Sequence, residues 1–268
     1  MSIFAPHPDR RPAIVSGASS GIGAATAVAL AELGRPVALG ARRIEQCAEL
    51  ADKIRADGGE AFAHRLDVTE PDSIEEFVAA AEDAIGPTEI VVSSAGDIEF
   101  GQVHTMDPER FLQQVQVHLL GAHRLAHRVL PGMLRRQRGD IVLISSDCAP
   151  APRPHTGAYS AAKAGLEAMA ADMRMALEGT GIRTSLVRPG PTLTGMGMNA
   201  TPESIGPMLA DWKVWGFARH SNLLRPSDLA AAVVAVVSTP RGAHLTLVEV
   251  QPEAPVRPAA DAAASDIR

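Results

Sequence analysis

Apolar residues along the chain fall into short unbroken runs, separated by longer stretches with helical periodicity. The runs Pro12–Ser16, Pro36–Gly40, Ala61–Leu66, Ile90–Ser93, Asp140–Ile144, Ile182–Val187 and His244–Val250 predict strands. Helices are predicted from the glycine-rich turn to about Leu33, over Ile44–Ala56 and Pro71–Ile85, and along a long segment from about Asp107 to Arg136. Two more follow, from Tyr159 to about Glu178 and over Pro226–Val237. Strands that are apolar without alternation are buried on both faces. Their alternation with helices predicts the α/β class, a doubly wound parallel sheet with right-handed crossovers and helices on both faces. The stretch from about Pro191 to Asn222 reads as an irregular insertion. No composition break divides the chain, so residues 1–250 read as one domain. Residues 251–268, rich in Pro and Ala without apolar periodicity, read as a disordered tail.

Composition narrows the function classes. With 46% apolar and 21% charged residues among 268, the chain is globular. Its 31 acidic against 25 basic residues give a net charge of −6, which argues against a nucleic-acid partner. The longest apolar stretch, Leu229–Val237, is too short to span a bilayer, so no membrane partner is expected. The opening residues carry no export signature. Cys47 and Cys148 lie far apart and form no CxxC, so a cytoplasmic chain without disulfides or a cysteine-rich zinc site is expected.

The first strand runs into Ser16-Gly17-Ala18-Ser19-Ser20-Gly21-Ile22-Gly23 and then a helix. A diphosphate needs bare backbone N–H groups at the positive end of a helix, and glycine lets the backbone approach it. The spacing is G-x3-G-x-G rather than the general G-x-G-x-x-G, and a glycine turn alone would serve as a plain connection. Its place between first strand and helix favours a dinucleotide site formed by Gly17, Ser19, Ser20, Gly21, Ile22 and Gly23. The second strand ends at Gly40-Ala41-Arg42-Arg43. No carboxylate stands there to grip both ribose hydroxyls of NAD, whereas a guanidinium suits a 2′-phosphate. Arg42 and Arg43 therefore predict NADP(H) as cofactor, the alternative being two solvated arginines at a helix start.

The chain holds one tyrosine, Tyr159, in Tyr159-Ser160-Ala161-Ala162-Lys163. At i and i+4 on a helix, an ammonium beside a phenol favours the phenolate and lowers its pKa. Such a phenol exchanges a proton with a carbonyl or alcohol oxygen. Ser146, at the end of the fifth strand, is placed to donate to the same oxygen. A lone YxxxK also arises by chance as a helix-face pair; its combination with the glycine turn and a strand-end serine is far more specific.

With these marks the chain resembles the short-chain dehydrogenase/reductase family, from about Pro12 to Val250. The shared features are SGASSGIG, Asp67 after the third strand, Ala95-Gly96 after the fourth, Ser146, YSAAK, and Arg188-Pro189-Gly190 with Thr194. The resemblance implies a single Rossmann-type domain of about seven strands in the order 3-2-1-4-5-6-7. It implies that Tyr159 is the acid/base, that Lys163 binds the nicotinamide ribose while tuning Tyr159, and that Ser146 polarises the substrate oxygen. It assigns Asp67 and Val68 to the adenine, Ala95 and Gly96 to the cofactor cradle, and Pro189, Gly190 and Thr194 to the nicotinamide side. No metal is called for. The activity implied is hydride transfer between NADP(H) and a ketone or secondary alcohol. A cofactor-binding redox sensor or structural partner with little turnover is the alternative.

Two departures from the family pattern stand out. Ser93-Ser94-Ala95-Gly96 replaces the usual Asn-Asn-Ala-Gly, which predicts a modest loss of rigidity or cofactor affinity. His118 stands where the family usually has an asparagine that helps hold a proton-relay water at the lysine. Imidazole can donate, accept and carry protons, so His118 is either the substitute relay or a buried, satisfied histidine in a slower or inactive site. His123 and His127 are read as surface or packing residues rather than metal ligands.

On the substrate side, the insertion carries Leu193, Met196, Met198, Met208, Leu209, Trp212, Trp215 and Phe217, with Gly195 and Gly197 permitting movement. These predict an apolar lid over a fairly large hydrophobic carbonyl or alcohol, or equally a core or subunit contact. Asp147, Cys148 and His155 are candidates for the same cleft. The segment Tyr159–Leu177 is apolar nearly all round, which predicts burial on more than one side and a homo-oligomer, a tetramer or dimer.

Overall fold

The computed structural model describes residues 4–196, 202–217 and 220–256. Seven parallel strands form one sheet in the order β3-β2-β1-β4-β5-β6-β7. They are β1 (Ala13–Ser16), β2 (Val37–Ala41), β3 (Ala61–Arg65), β4 (Ile90–Ser93), β5 (Gly139–Ile144), β6 (Ile182–Pro189) and β7 (Leu247–Val250). The helices are α1 (Gly21–Glu32), α2 (Ile44–Ala56), α3 (Pro71–Ile85), α4 (Pro108–Val115), α5 (Gly121–Arg136), α6 (Gly157–Ala176), α7 (Pro202–Val214) and α8 (Pro226–Ser238). This is the doubly wound parallel sheet that the pattern of apolar runs predicts, in the Rossmann-type strand order that the family resemblance implies.

Successive strand residues point to opposite faces, and that alternation divides the sheet between two cores. Ala13, Val15, Val37, Leu39, Ile90, Val92, Val142 and Ile144 pack with Ala27 and Leu30 of α1, Ile54 of α2, and Leu229 and Val233 of α8. Ile14, Ala38, Val91, Ile141 and Leu143 pack with Phe77 of α3, Leu125 and Val129 of α5, and Leu166 and Ala170 of α6. Because both faces are covered, β1, β2 and β5 are buried throughout. The edge strands β3 and β7 are partly open.

Three elements differ from expectation. The predicted Asp107–Arg136 helix is interrupted by a π-helical turn over Gln116–Leu120, which separates α4 from α5. The fitted extra residue per turn lets His118 reach toward the loop after β4. The stretch predicted as irregular contains α7. Ile205, Met208, Leu209 and Trp212 follow helical spacing, but Gly206-Pro207 hides it by reading as a breaker. The last strand begins at Leu247 rather than His244. Past β7, residues 251–256 carry no regular structure, yet Asn222 Nδ2 donates to Glu253 O at 2.8 Å. The remainder of the predicted tail, 257–268, lies outside the described residues.

At the strands' N-terminal rim, Asp140 is buried between two arginines. Arg183 Nε donates to Asp140 Oδ1 at 2.6 Å and Nη2 to Oδ2 at 3.1 Å, while Arg11 Nη2 donates to Oδ2 from the other side. Arg11 Nη1 continues to Val237 O at 2.6 Å, and Arg183 Nη1 to Ala243 O at 2.8 Å. The chain's beginning, β5, β6 and the segment after α8 are thereby joined at one point.

Candidate active site

In a parallel sheet all strands end at the same rim, and there the predicted residues converge. Strand order reverses between β1 and β4, the place where open parallel sheets bind ligands, and the glycine turn stands there. Gly17 takes φ +72° and Gly21 φ +58°, a region that side chains disfavour. A Cβ on Gly17 would lie 2.7 Å from Ser94 O, and one on Gly23 2.4 Å from Gly17 O. Ser20 precedes α1 in an extended conformation and its side chain caps nothing, so the helix presents bare N–H groups beside Ile22. Across the turn, Arg43 Nη2 donates to Ser19 Oγ at 3.0 Å and to Ser20 Oγ at 2.8 Å. Thr194 approaches from beyond β6, its side chain 3.4 Å from where a Cβ of Gly21 would stand. A bare helix N-terminus with a guanidinium above it is the donor set that a nucleotide phosphate requires. The residues present therefore fit a nicotinamide dinucleotide.

The other predicted cofactor residues line the same rim. Asp67, just past β3, accepts from Thr69 N at 2.9 Å and Thr69 Oγ1 at 2.7 Å, which fixes the turn holding Val68. Arg42 lies close enough for its charge to act on the Asp67 carboxyl. Pro189 ends β6, and Gly190 N donates to Val250 O at 2.8 Å. Ser16 Oγ accepts from Ser94 N at 3.1 Å and from Ala95 N at 3.2 Å, tying β1 to β4. That role of Ser16 escaped sequence reasoning, because its partners lie far along the chain.

Ser146, Tyr159, Lys163 and His118 are brought together and all are buried. Lys163 Nζ lies 5.7 Å from the Tyr159 ring centre and donates to Ile144 O at 2.7 Å. Burial lowers the Lys163 ammonium to about 7, with the nearby Glu167 charge working the other way. Burial pushes the Tyr159 phenol up, against a hydrogen bond with Ser146 that lowers it. The His118 ring meets the Tyr159 ring edge to face, 5.0 Å between centres. His118 Nε2 donates to Asp97 O at 2.6 Å, and Nδ1 is buried without a hydrogen-bond partner. Burial, helped by the Lys163 charge, lowers His118 to about 3, so the imidazole is neutral. Its ring rests on Gly96, where a Cβ would come within 2.4 Å of Cε1.

Beside this cluster, Asp147 is paired with Arg153, whose Nη1 lies 3.1 Å from Oδ1 and 3.2 Å from Cys148 Sγ. The Arg153 guanidinium also stacks over Trp212 of α7, 5.5 Å from the ring centre. Trp212 Nε1 donates to Pro154 O at 2.8 Å, and His155 Nε2 pairs with Asp211 Oδ2 at 2.7 Å. Thus α7 is strapped to the loop that follows Ser146. Of the predicted lid side chains, Met208 is buried, while Leu193, Met196, Leu209, Trp215 and Phe217 are exposed. Gly197 and Met198 lie outside the described residues. His123 and His127 stack on one another at 5.9 Å along α5, away from these groups.

A family profile described as short chain dehydrogenase matches residues 11–204. A glycine betaine reductase of Emericella nidulans is 35% identical over 241 residues, which are 90% of this chain but only 18% of that protein. The chain thus spans a small part of that relative. The 2,3-dihydro-2,3-dihydroxybenzoate dehydrogenase of Bacillus subtilis is 31% identical over 88% of this chain and 91% of its own length. A metagenomic short-chain oxidoreductase solved in complex with NADP superposes with a TM-score of 0.75 at 30% identity, covering 91% of this chain and 97% of that one.

Proposed function

The chain belongs to the short-chain dehydrogenase/reductase family, whose members are nicotinamide-nucleotide-dependent oxidoreductases, and from that premise we propose that it transfers hydride between NADP(H) and a hydrophobic ketone or secondary alcohol. The observation that carries this reading is the buried cluster of Ser146, Tyr159 and Lys163 beside the bare glycine turn. The nucleotide, when bound, supplies or accepts the hydride. Ser146 donates a hydrogen bond to the substrate oxygen and holds it toward Tyr159. Tyr159 gives that oxygen a proton in reduction and takes it back in oxidation. Lys163, when charged, stabilises the phenolate against the burial that opposes it. In this reading neutral His118 takes the relay position, its Nε2 proton held by Asp97 O and its buried Nδ1 the acceptor left without a hydrogen-bond partner.

The preference for NADP(H) rests on Arg42 and Arg43, and on Ala41 where a ribose-gripping carboxylate would stand. Met208, Trp212 and the apolar residues around α7 support a largely hydrophobic substrate, with Asp147 and Arg153 giving the cleft one polar wall. The free, buried thiols Cys47 and Cys148 suit a reducing cytoplasm, which cell fractionation would check. Among the described residues no helix is long and apolar enough to cross a membrane.

A carbonyl and alcohol panel assayed with both nucleotides tests the reading. Tyr159→Phe should abolish turnover while NADPH binding, read by fluorescence, stays nearly intact; normal turnover would exclude Tyr159 as the acid/base. Arg42→Ala and Arg43→Ala should erode the preference for NADPH over NADH, and an unchanged ratio in both would remove the arginines from the account. Binding without turnover across the panel would favour the sensor reading. We also propose a dimer or tetramer through the outer face of α6, where Ala161, Ala164, Ala168, Ala171 and Met175 are exposed. Sedimentation showing only monomer at micromolar concentration would contradict it.

A further inference from the structure

Glu167 has no part in the scheme above, yet it sits one helical turn beyond Lys163 on α6 with its side chain largely buried. Three donors hold its carboxylate. Ser145 Oγ donates to Oε1 at 2.6 Å, Arg188 Nε to Oε1 at 3.0 Å and Arg188 Nη2 to Oε2 at 2.7 Å. Arg188 Nη1 in turn reaches Glu249 Oε2 at 2.7 Å, and Gln251 Nε2 donates to Glu249 Oε1 at 3.0 Å. The carboxylate is therefore fixed to the end of β5, next to Ser146, and to the β6–β7 edge, while riding on the helix that carries Tyr159 and Lys163.

We propose that Glu167 is a positioning residue for the catalytic pair, a clamped negative charge that keeps Lys163 protonated and holds Ser145–Ser146 in register with α6. The groups around Lys163 leave Glu167 in this role. From β5 it meets the Ile144 carbonyl, from the π-helical turn neutral His118, and on its own helix Tyr159 and Glu167. Of these, Glu167 is the formal negative charge that favours the ammonium. Arg188 is its counterion, bound through Nε and Nη2, one to each carboxylate oxygen. The clamp matters because a lysine that loses its proton no longer favours the phenolate. This inference rests on the Tyr159–Lys163 reading, but its test needs no substrate.

The chain contains only three lysines, Lys53, Lys163 and Lys213. Selective 13C-lysine labelling of the full chain thus gives three side-chain signals, assigned with Lys53→Arg and Lys213→Arg. Their Cε shifts are followed between about pH 5 and 10, spanning the ordinary and lowered lysine ranges. Lys163 should titrate near 7 in the wild type. In Glu167→Gln the midpoint should fall by about one pH unit, the effect of removing one close opposite charge. Glu167→Asp and Ser145→Ala keep the carboxylate and should leave the midpoint near wild type. A midpoint unmoved in Glu167→Gln, or moved up toward the free-lysine value as general loosening would do, overturns the proposal. Should that variant not fold, Arg188→Gln tests the claim from the other side in chains whose near-ultraviolet dichroism matches wild type. Freed of its counterion, Glu167 should then raise the Lys163 midpoint, and a fall or no change overturns the claim. Failure here leaves the acid/base reading standing, whereas active Tyr159→Phe removes that reading whatever the titration gives.

Discussion

Gly96 and His118 share a single volume. Because Gly96 lacks a side chain, the Cε1–Nδ1 edge of the imidazole can press against it while Nε2 reaches Asp97 O. Gly96→Ala should therefore cost about 1–3 kcal/mol of stability, read by urea unfolding, since overpacking a tight core forces side chains off their rotamers. Adding His118→Ala should return part of the loss, and a Gly96→Ala chain as stable as wild type would show that the contact is slack. At this scale the sequence is legible where chemistry follows local spacing. Tyr159 and Lys163 share a helix turn, and Ser146 ends a strand. It is mute where partners are distant: nothing near Ser16 announces Ser94, and nothing near Gly96 announces His118. Glu167 was within reach, four residues past Lys163, but its meaning came from Arg188 on another strand.

The π-helical turn has a consequence for pH that belongs to the element, because it is the turn that buries His118. The folded protein holds this imidazole at about 3, against an ordinary 6.5. Above 6.5 both folded and unfolded chains keep it neutral, and the burial has no pH-dependent effect. Below 6.5 the unfolded chain takes up a proton that the folded chain refuses, so stability falls as pH drops toward 3, by about 1.4 kcal/mol per pH unit from this group. The difference between unfolding free energies at pH 7 and pH 5 should shrink by about 2 kcal/mol in His118→Asn. An identical pH dependence in both chains would mean that the histidine is protonated in the fold. Elements themselves were legible in proportion to burial. The strands covered on both sides declare themselves as apolar runs, whereas α7, half exposed and interrupted by Gly206-Pro207, does not.

For the whole molecule, strand character and handedness pointed to a parallel, doubly wound sheet and the family resemblance to its strand order, while the tie that closes its lower rim was visible in neither. Asp140 starts an apolar strand and gives no sign that Arg11 and Arg183 converge on it. Asp140→Asn should destabilise the protein by about 3–5 kcal/mol, because two buried guanidinium groups lose the counterion they share. Equilibrium unfolding measures this, and a loss below about 1 kcal/mol would show the arginines well served by their carbonyl partners alone.

That carboxylate knot lies at the opposite end of the strands from Tyr159. Anchorage and chemistry thus occupy separate ends of one scaffold. Someone redesigning substrate preference can vary exposed positions of α7 and the turn after it, such as Leu209 and Trp215, without touching what fastens Arg11 to β5 and β6. Library diversity confined to such positions leaves the Asp147–Arg153 pair and the Trp212 tie in place.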